Sequence, residues 1–200
     1  MVSSFLPYKI NNMQKKTFEE LFDGVIKHEG YYAKVTGDRG GETYMGVARN
    51  LHPNWEGWRI IDSYKHDVGR IKHNEKINID ELTKLVKEFY RKTFYHAYKI
   101  ESIKNDSLKE IIFDWCVNSG YWGSHGVQRA VNQLSDNNLK IDGIIGAKTI
   151  VAINSCEPEI LFDAIKIARI RFYNTIAKKG QNYKFLKGWL KRINAIMFKG

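Results

Sequence analysis

From Ser107 to Gly120 the chain reads Ser-Leu-Lys-Glu-Ile-Ile-Phe-Asp-Trp-Cys-Val-Asn-Ser-Gly, and no other stretch limits the fold so tightly. Leu108, Ile111, Ile112, Trp115 and Cys116 recur at helical spacing, which predicts an amphipathic helix with a broad apolar face. Ser107 with Glu110 marks its start and Gly120 its end. A helix this apolar needs other elements packed around it, so it belongs at the centre of the core.

Six more helical patterns surround it. The first starts at Thr17, where Thr17 and Glu20 form a capping box, and carries Phe18, Leu21, Phe22, Val25 and Ile26 on one face until Gly30. A second spans about Ile79 to Tyr95, with Asn78 as its cap and Leu82, Leu85, Val86, Phe89 and Tyr90 facing inward. Another covers Ser124 to Leu134. A turn at Asp142-Gly143 leads into a short helix with Ile150, Val151 and Ile153. Pro158 suits the first turn of a helix reaching Gly180, and a last helix uses Phe185, Leu186, Trp189, Ile193 and Met197. Residues 59–77 read as irregular, with short helical turns near Ile60 and Val68. The expected fold class is mainly α, with a small irregular or β lobe after the first helix.

Two hundred residues, 43% of them apolar, are ample for a real core. The expected division is a leader arm at 1–16, a first part at 17–105, and a second helical part at 106–200 packed into the same globule. The N-terminus lacks the basic start and long apolar run of a Sec signal peptide, and no segment is apolar enough to span a membrane. Cys116 and Cys156 have no metal-ligand spacing, and neither do the six histidines. Cys116 falls in an apolar helical pattern, where a reduced core thiol is the default. No metal and no cofactor are expected. The net charge of +10 draws polyanions, whether nucleic acid, anionic lipid or wall polymer. The lysines and arginines are scattered and no nucleic-acid motif occurs, so a nucleic-acid partner is not expected.

The chemistry-bearing stretch runs from His28 to Val47. Glu29 sits at the end of the first helix, beside its carbonyl terminus and near Tyr31 and Tyr32, surroundings in which a glutamate holds its proton for general acid catalysis. Asp38 follows after eight intervening residues, in a glycine-rich polar loop, and Thr43 after four more. Asp38 reads either as the partner carboxylate of a glycosidase or as a turn former. Thr43 reads either as a water-orienting hydroxyl or as a loop pin, and Glu42 is a rival second carboxylate expected to be more exposed. Trp55 and Trp58 offer flat rings for sugar faces or for core packing. Asn118 and Gln128 suit either glycan hydrogen bonds or polar bonds in the core.

Glu29-Gly30-Tyr31-Tyr32 and Asp38-x-Gly40-Gly41-Glu42-Thr43-x-x-Gly46-Val47 resemble glycoside hydrolase family 108, lysozyme-like muramidases also known as secretion-activating proteins. The segment Phe113-Asp114-Trp115-Cys116-Val117-Asn118-Ser119-Gly120 is similar to a further motif of that family. Asp142-Gly143-Ile144-Ile145-Gly146 with Thr149 resembles its peptidoglycan-binding-like module, and Gly188-Trp189-Leu190-x-Arg192 its closing motif. Tyr31 stands where the family has a glycine, and Thr43 comes one residue earlier than in the similar phage lysozymes.

The resemblance implies a lysozyme-like fold and cleavage of the bond between N-acetylmuramic acid and N-acetylglucosamine in peptidoglycan. With it, Glu29, Asp38 and Thr43 are the expected catalytic set, and Tyr32, Trp55, Asn118 and Gln128 are expected to contact the substrate. Inversion is expected, with carboxyl groups roughly 6.5–9.5 Å apart. A lytic transglycosylase using a lone acid, or a non-catalytic protein that binds the wall or assists secretion, are the alternatives. A monomer made in the cytoplasm and acting at the wall or periplasm after export or holin-type release is expected.

Overall fold

The computed structural model describes residues 15–34, 40–136, 138–180 and 182–199. Asp38 and nearly all of the leader arm lie outside these residues. The described elements are α1 (Phe18–Ile26), β1 (Tyr32–Lys34), β2 (Glu42–Tyr44), β3 (Val47–Ala48), α2 (Gly57–Val68) and α3 (Asp80–Tyr90), followed by α4 (Asp106–Ser119), α5 (Tyr121–Leu134), α6 (Ala147–Ser155), α7 (Pro158–Ala177) and α8 (Tyr183–Ala195). The fold is mainly helical with one small sheet, as expected.

Helix α4 is the hub. Ile111, Ile112, Phe113 and Cys116 are fully buried and Trp115 nearly so. Its cap is Asn105, whose Oδ1 accepts from the Ser107 and Leu108 amides at 3.0 Å, two residues earlier than the Ser107 start read from sequence. Both ends of the described chain bind its first turn. The Lys16 amide donates to Asp106 Oδ2 at 2.8 Å, and the Lys199 amide donates to Ser107 Oγ at 2.9 Å. Gly120 alone joins α4 to α5. Helix α5 then lies so close that a Cβ on Gly126 would fall 2.1 Å from the Trp115 ring. Cys116 and Cys156 are both free, and burial pushes the Cys116 thiol up.

The capping box of α1 is present in full: Thr17 Oγ1 accepts from the Glu20 amide at 3.2 Å, and Glu20 Oε2 accepts from the Thr17 amide at 2.8 Å. Residues 59–77 depart from expectation, since α2 is a continuous helix of 12 residues. Only Gly57, Trp58 and Ile61 of it are buried, so tertiary packing of a narrow stripe holds a helix whose remaining surface is polar. Asn78 does not cap α3. The extended residue Ile79 precedes it, without a side-chain cap. The predicted helix past Tyr90 continues as a π turn over Arg91–His96.

The lobe after α1 is an antiparallel sheet in the order β1-β2-β3, with Tyr32 opposite Tyr44, and Thr43 between Ala33 and Ala48. Met45 and Gly46 form the turn between β2 and β3, with φ of +45° and +80°. Positive φ at both central residues is the signature of a type I′ turn, whose twist matches that of its strands. The Tyr90 hydroxyl donates to Met45 O at 2.9 Å and holds this turn against α3. The sheet is also tied to the 71–79 segment. The Ile77 amide donates to Tyr44 Oη at 3.2 Å, and the Tyr31 amide donates to Asn74 Oδ1 at 2.9 Å. Gly30 takes the left-handed φ, at +67°, so Tyr31 needs no glycine.

Candidate active site

Glu29 stands three residues beyond α1, in a turn closed by its own amide donating to Ile26 O at 3.1 Å. Its side chain is 22% exposed and pairs, among the described residues, with Arg192, Nη1 to Glu29 Oε1 at 2.9 Å. The other oxygen, Oε2, lies by Gly46, where an added Cβ would approach it to 3.1 Å and would strike Tyr90 Oη at 2.3 Å. Gly46 is exposed. The turn therefore leaves an open floor beside one carboxylate oxygen, which a side chain of any size would fill.

Arg192 is a cation that the local spacing of the catalytic stretch does not reveal. Its Nε donates to Asp114 Oδ1 at 2.9 Å, with Nη2 at 2.8 Å from the same oxygen. Asp114 Oδ2 in turn lies 2.5 Å from Arg169 Nη2, and Arg169 is fully buried. Its guanidinium also lies 5.6 Å from the Tyr173 ring centroid. Two carboxylates and two guanidiniums thus form one chain of charge running from α7 through α4 and α8 to Glu29. Asp114 and Arg192 both belong to motifs visible in the sequence. Their meeting across 78 positions is not visible there.

The other site candidates divide. Thr43 occupies the middle of β2, on the face opposite Glu42 and Tyr44, and its Oγ1 reaches Ala33 O at 3.5 Å. Asp38 belongs to the undescribed segment between β1 and β2, so its distance from Glu29 is outside the described residues. Glu42, expected to be exposed, is only 8% so. Tyr32 Oη and Lys65 Nζ each contact its Oε1 at 2.5 Å, and Arg49 Nε lies 2.7 Å from its Oε2. A carboxylate with three partners in the core of the lobe is a structural centre. Burial works to raise the Glu42 carboxyl, but the hydrogen bonds of Lys65 and Tyr32 and the charge of Arg49 outweigh it and hold it below its usual range.

Tyr32 is 5% exposed, and burial together with the Glu42 bond pushes its phenol up. Gln128 is 1% exposed. Its Nε2 donates to Asp142 Oδ1 at 2.9 Å and Ile144 O at 3.1 Å, while its Oε1 accepts from the Gly143 amide at 2.8 Å. These bonds give Tyr32 and Gln128 structural work. Asn118 is exposed one turn beyond Asp114 on α4, with Nδ2 donating to Asp114 O at 2.8 Å. Trp55 walls a cleft between the 51–56 loop and α3, formed with Leu85 and Phe89. Its indole N–H donates to Leu85 O at 3.4 Å. Among the described residues, no group of three or more His, Cys, Asp or Glu side chains is placed to hold a metal.

Glu29, 22% exposed, thus stands just past α1 beside the exposed turn of the small sheet. Residues 22–120 match the family described as Glycosyl hydrolase 108, and residues 123–194 match one described as a Predicted Peptidoglycan domain. The chain therefore carries a Glycosyl hydrolase 108 domain followed by a predicted peptidoglycan domain. Among solved structures, it is similar to that described as the structure of Brucella abortus SagA. The TM-score is 0.60 and the identity 20%, over 90% of each chain, a likeness of fold. No curated protein matches the chain. The two family matches meet where α4 passes into α5, so Glu29 and Asp114 fall in the first and Arg192 in the second. Among the described residues, no helix is long and apolar enough to cross a membrane.

Proposed function

We propose that the chain is an endo-acting muramidase that cleaves the bond between N-acetylmuramic acid and N-acetylglucosamine in peptidoglycan. Glu29 donates a proton to the leaving glycosidic oxygen. Asp38 positions or activates the attacking water, or stabilises the oxocarbenium-like transition state, and Thr43 assists it. One observation carries the reading: Glu29 Oε2 lies beside exposed Gly46, within the family-matched stretch, whereas the rival Glu42 is closed in by three partners. Exposed Asn118, on the same helix as Asp114, and Trp55 at its cleft are the glycan contacts this reading retains. Dispersed positive charge draws the protein to wall polymers, an attraction that salt weakens. The protein acts at the wall or periplasm.

The test is mass spectrometry of the products released from purified sacculi in heavy-oxygen water. Hydrolysis puts one heavy oxygen on each new reducing end, and Glu29→Gln lowers the rate by about 100-fold or more while wall binding is kept. Anhydro ends without the label would mean a lytic transglycosylase. Sacculi left intact by the wild-type protein would mean a wall-binding protein.

A further inference from the structure

We propose that Arg192, supplied by the peptidoglycan domain, is the positioning residue that fixes which oxygen of Glu29 carries the donated proton. The inference rests on the reading of Glu29 as the acid and adds that the second domain completes the first domain's site. Arg192 is well suited to that task. Its guanidinium side chain is 9% exposed and is held by Asp114 through an Nε hydrogen bond at 2.9 Å. Nη2 is in ionic contact with the same oxygen at 2.8 Å but in no hydrogen bond, while Arg169 lies against the far side of Asp114. A buried arginine anchored at Nε against a carboxylate has little freedom left, and its planar fork fixes the direction of Nη1. That nitrogen meets Glu29 Oε1 at 2.9 Å.

The consequence follows from the hydrogen-bond inventory. Arginine has N–H donors and no acceptor, so Oε1 can only accept from it. A neutral carboxylic acid holds one proton, and the oxygen already receiving an N–H is the carbonyl-like one. The proton then sits on Oε2, which faces the open turn at Gly46. As the proton leaves for the glycosidic oxygen, the carboxylate that forms keeps Arg192 as its partner. The donor is in place before the charge develops, so no reorganisation is needed at the moment of reaction. Without the fork, Glu29 can rotate and present either oxygen, and misplacement of this order costs about 100-fold in rate.

Arg192→Lys, Arg192→Met and Glu29→Gln are compared with the wild-type full chain on soluble, uncross-linked glycan strands, with kcat and KM measured separately and folding followed by thermal denaturation. Lysine keeps the charge but cannot span Asp114 Oδ1 and Glu29 Oε1 with a rigid fork. The expected result is an Arg192→Lys protein that melts cooperatively, with kcat down about 100-fold and KM unchanged. Arg192→Met is expected to be at least as slow. If the methionine variant fails to fold, the lysine variant decides. An Arg192→Lys kcat within about twofold of wild type, or a rise in KM with kcat kept, overturns the inference while Glu29→Gln still tests the acid. A wild-type chain that leaves the strands uncut overturns both readings together.

Discussion

Asp114 Oδ1 accepts a hydrogen bond from Arg192 Nε at 2.9 Å and lies 2.8 Å from its Nη2, while Oδ2 lies 2.5 Å from Arg169 Nη2. Asp114 is 5% exposed and Arg169 fully buried, so one carboxylate faces two desolvated cations. Removing its charge leaves both guanidiniums with too little compensation, and breaking a buried pair in this way costs about 3–5 kcal/mol. Asp114→Asn is therefore expected to lower the free energy of unfolding by that order, read from the urea midpoint. A midpoint unchanged from wild type would show that the buried charges are compensated elsewhere.

Gly46 is where stability and activity are expected to fail together. Its φ is +80°, and an added Cβ would fall 2.3 Å from Tyr90 Oη and 3.1 Å from Glu29 Oε2. Gly46→Ala adds backbone strain of about 1–3 kcal/mol to the steric clash. Tyr90→Phe removes the clashing hydroxyl, leaving the ring carbon at 3.5 Å, an ordinary contact. The double variant is expected to be more stable than the sum of the single effects predicts, and to remain slow on glycan because the methyl still crowds Oε2. A thermal-denaturation cycle with strictly additive losses would contradict this geometry.

The helices were legible where a wide apolar stripe or a cap marks them. Leu108, Ile111, Ile112, Trp115 and Cys116 announce α4, and Thr17 with Glu20 announces the start of α1. Helix α2 escaped because Trp58 and Ile61 are its only large buried side chains, too few to outweigh its polar residues without knowledge of what they pack against. The type I′ turn escaped because methionine, at φ +45°, stands where asparagine or glycine would signal it. Glu29 was readable from the helix that ends before it. Arg192 was not, as it reaches Glu29 across 163 positions, and no local pattern encodes so distant a contact.

Gln128 separates a structural from a binding role. Its amide holds Asp142, Gly143 and Ile144 in one turn, and Ser124 Oγ supports the same turn by donating to Gly143 O at 2.6 Å. Gln128→Ala strands the buried Gly143 amide and is expected to cost about 1–3 kcal/mol. Sedimentation with sacculi at a temperature where the variant stays folded is expected to show wild-type binding. Lost binding with unchanged stability would return Gln128 to the glycan contacts.

The small sheet is expected to be the acid-sensitive part of the molecule, for a reason centred on Glu42. Burial alone would raise this carboxyl, yet the Lys65 and Tyr32 hydrogen bonds and Arg49 hold it below its ordinary 4.5. Arg49 also binds Asp62, with Nη2 at 2.6 Å from Oδ1, and that bond lowers the Asp62 carboxyl below its ordinary 3.8. A carboxyl lowered by folding binds its proton more weakly in the folded state than in the unfolded one. Its contribution is whole above the unfolded value and fades as the pH falls through the folded value. Wild-type stability is thus expected to hold from neutral pH to about 4.5 and to fall below it. Glu42→Gln removes the Glu42 share of that dependence and leaves that of Asp62. It is less stable than wild type at neutral pH, and the gap narrows as the medium is acidified. Unfolding free energies of both proteins measured from pH 3 to 7 check this, and a gap that stays constant across the range would place the acid sensitivity outside the lobe.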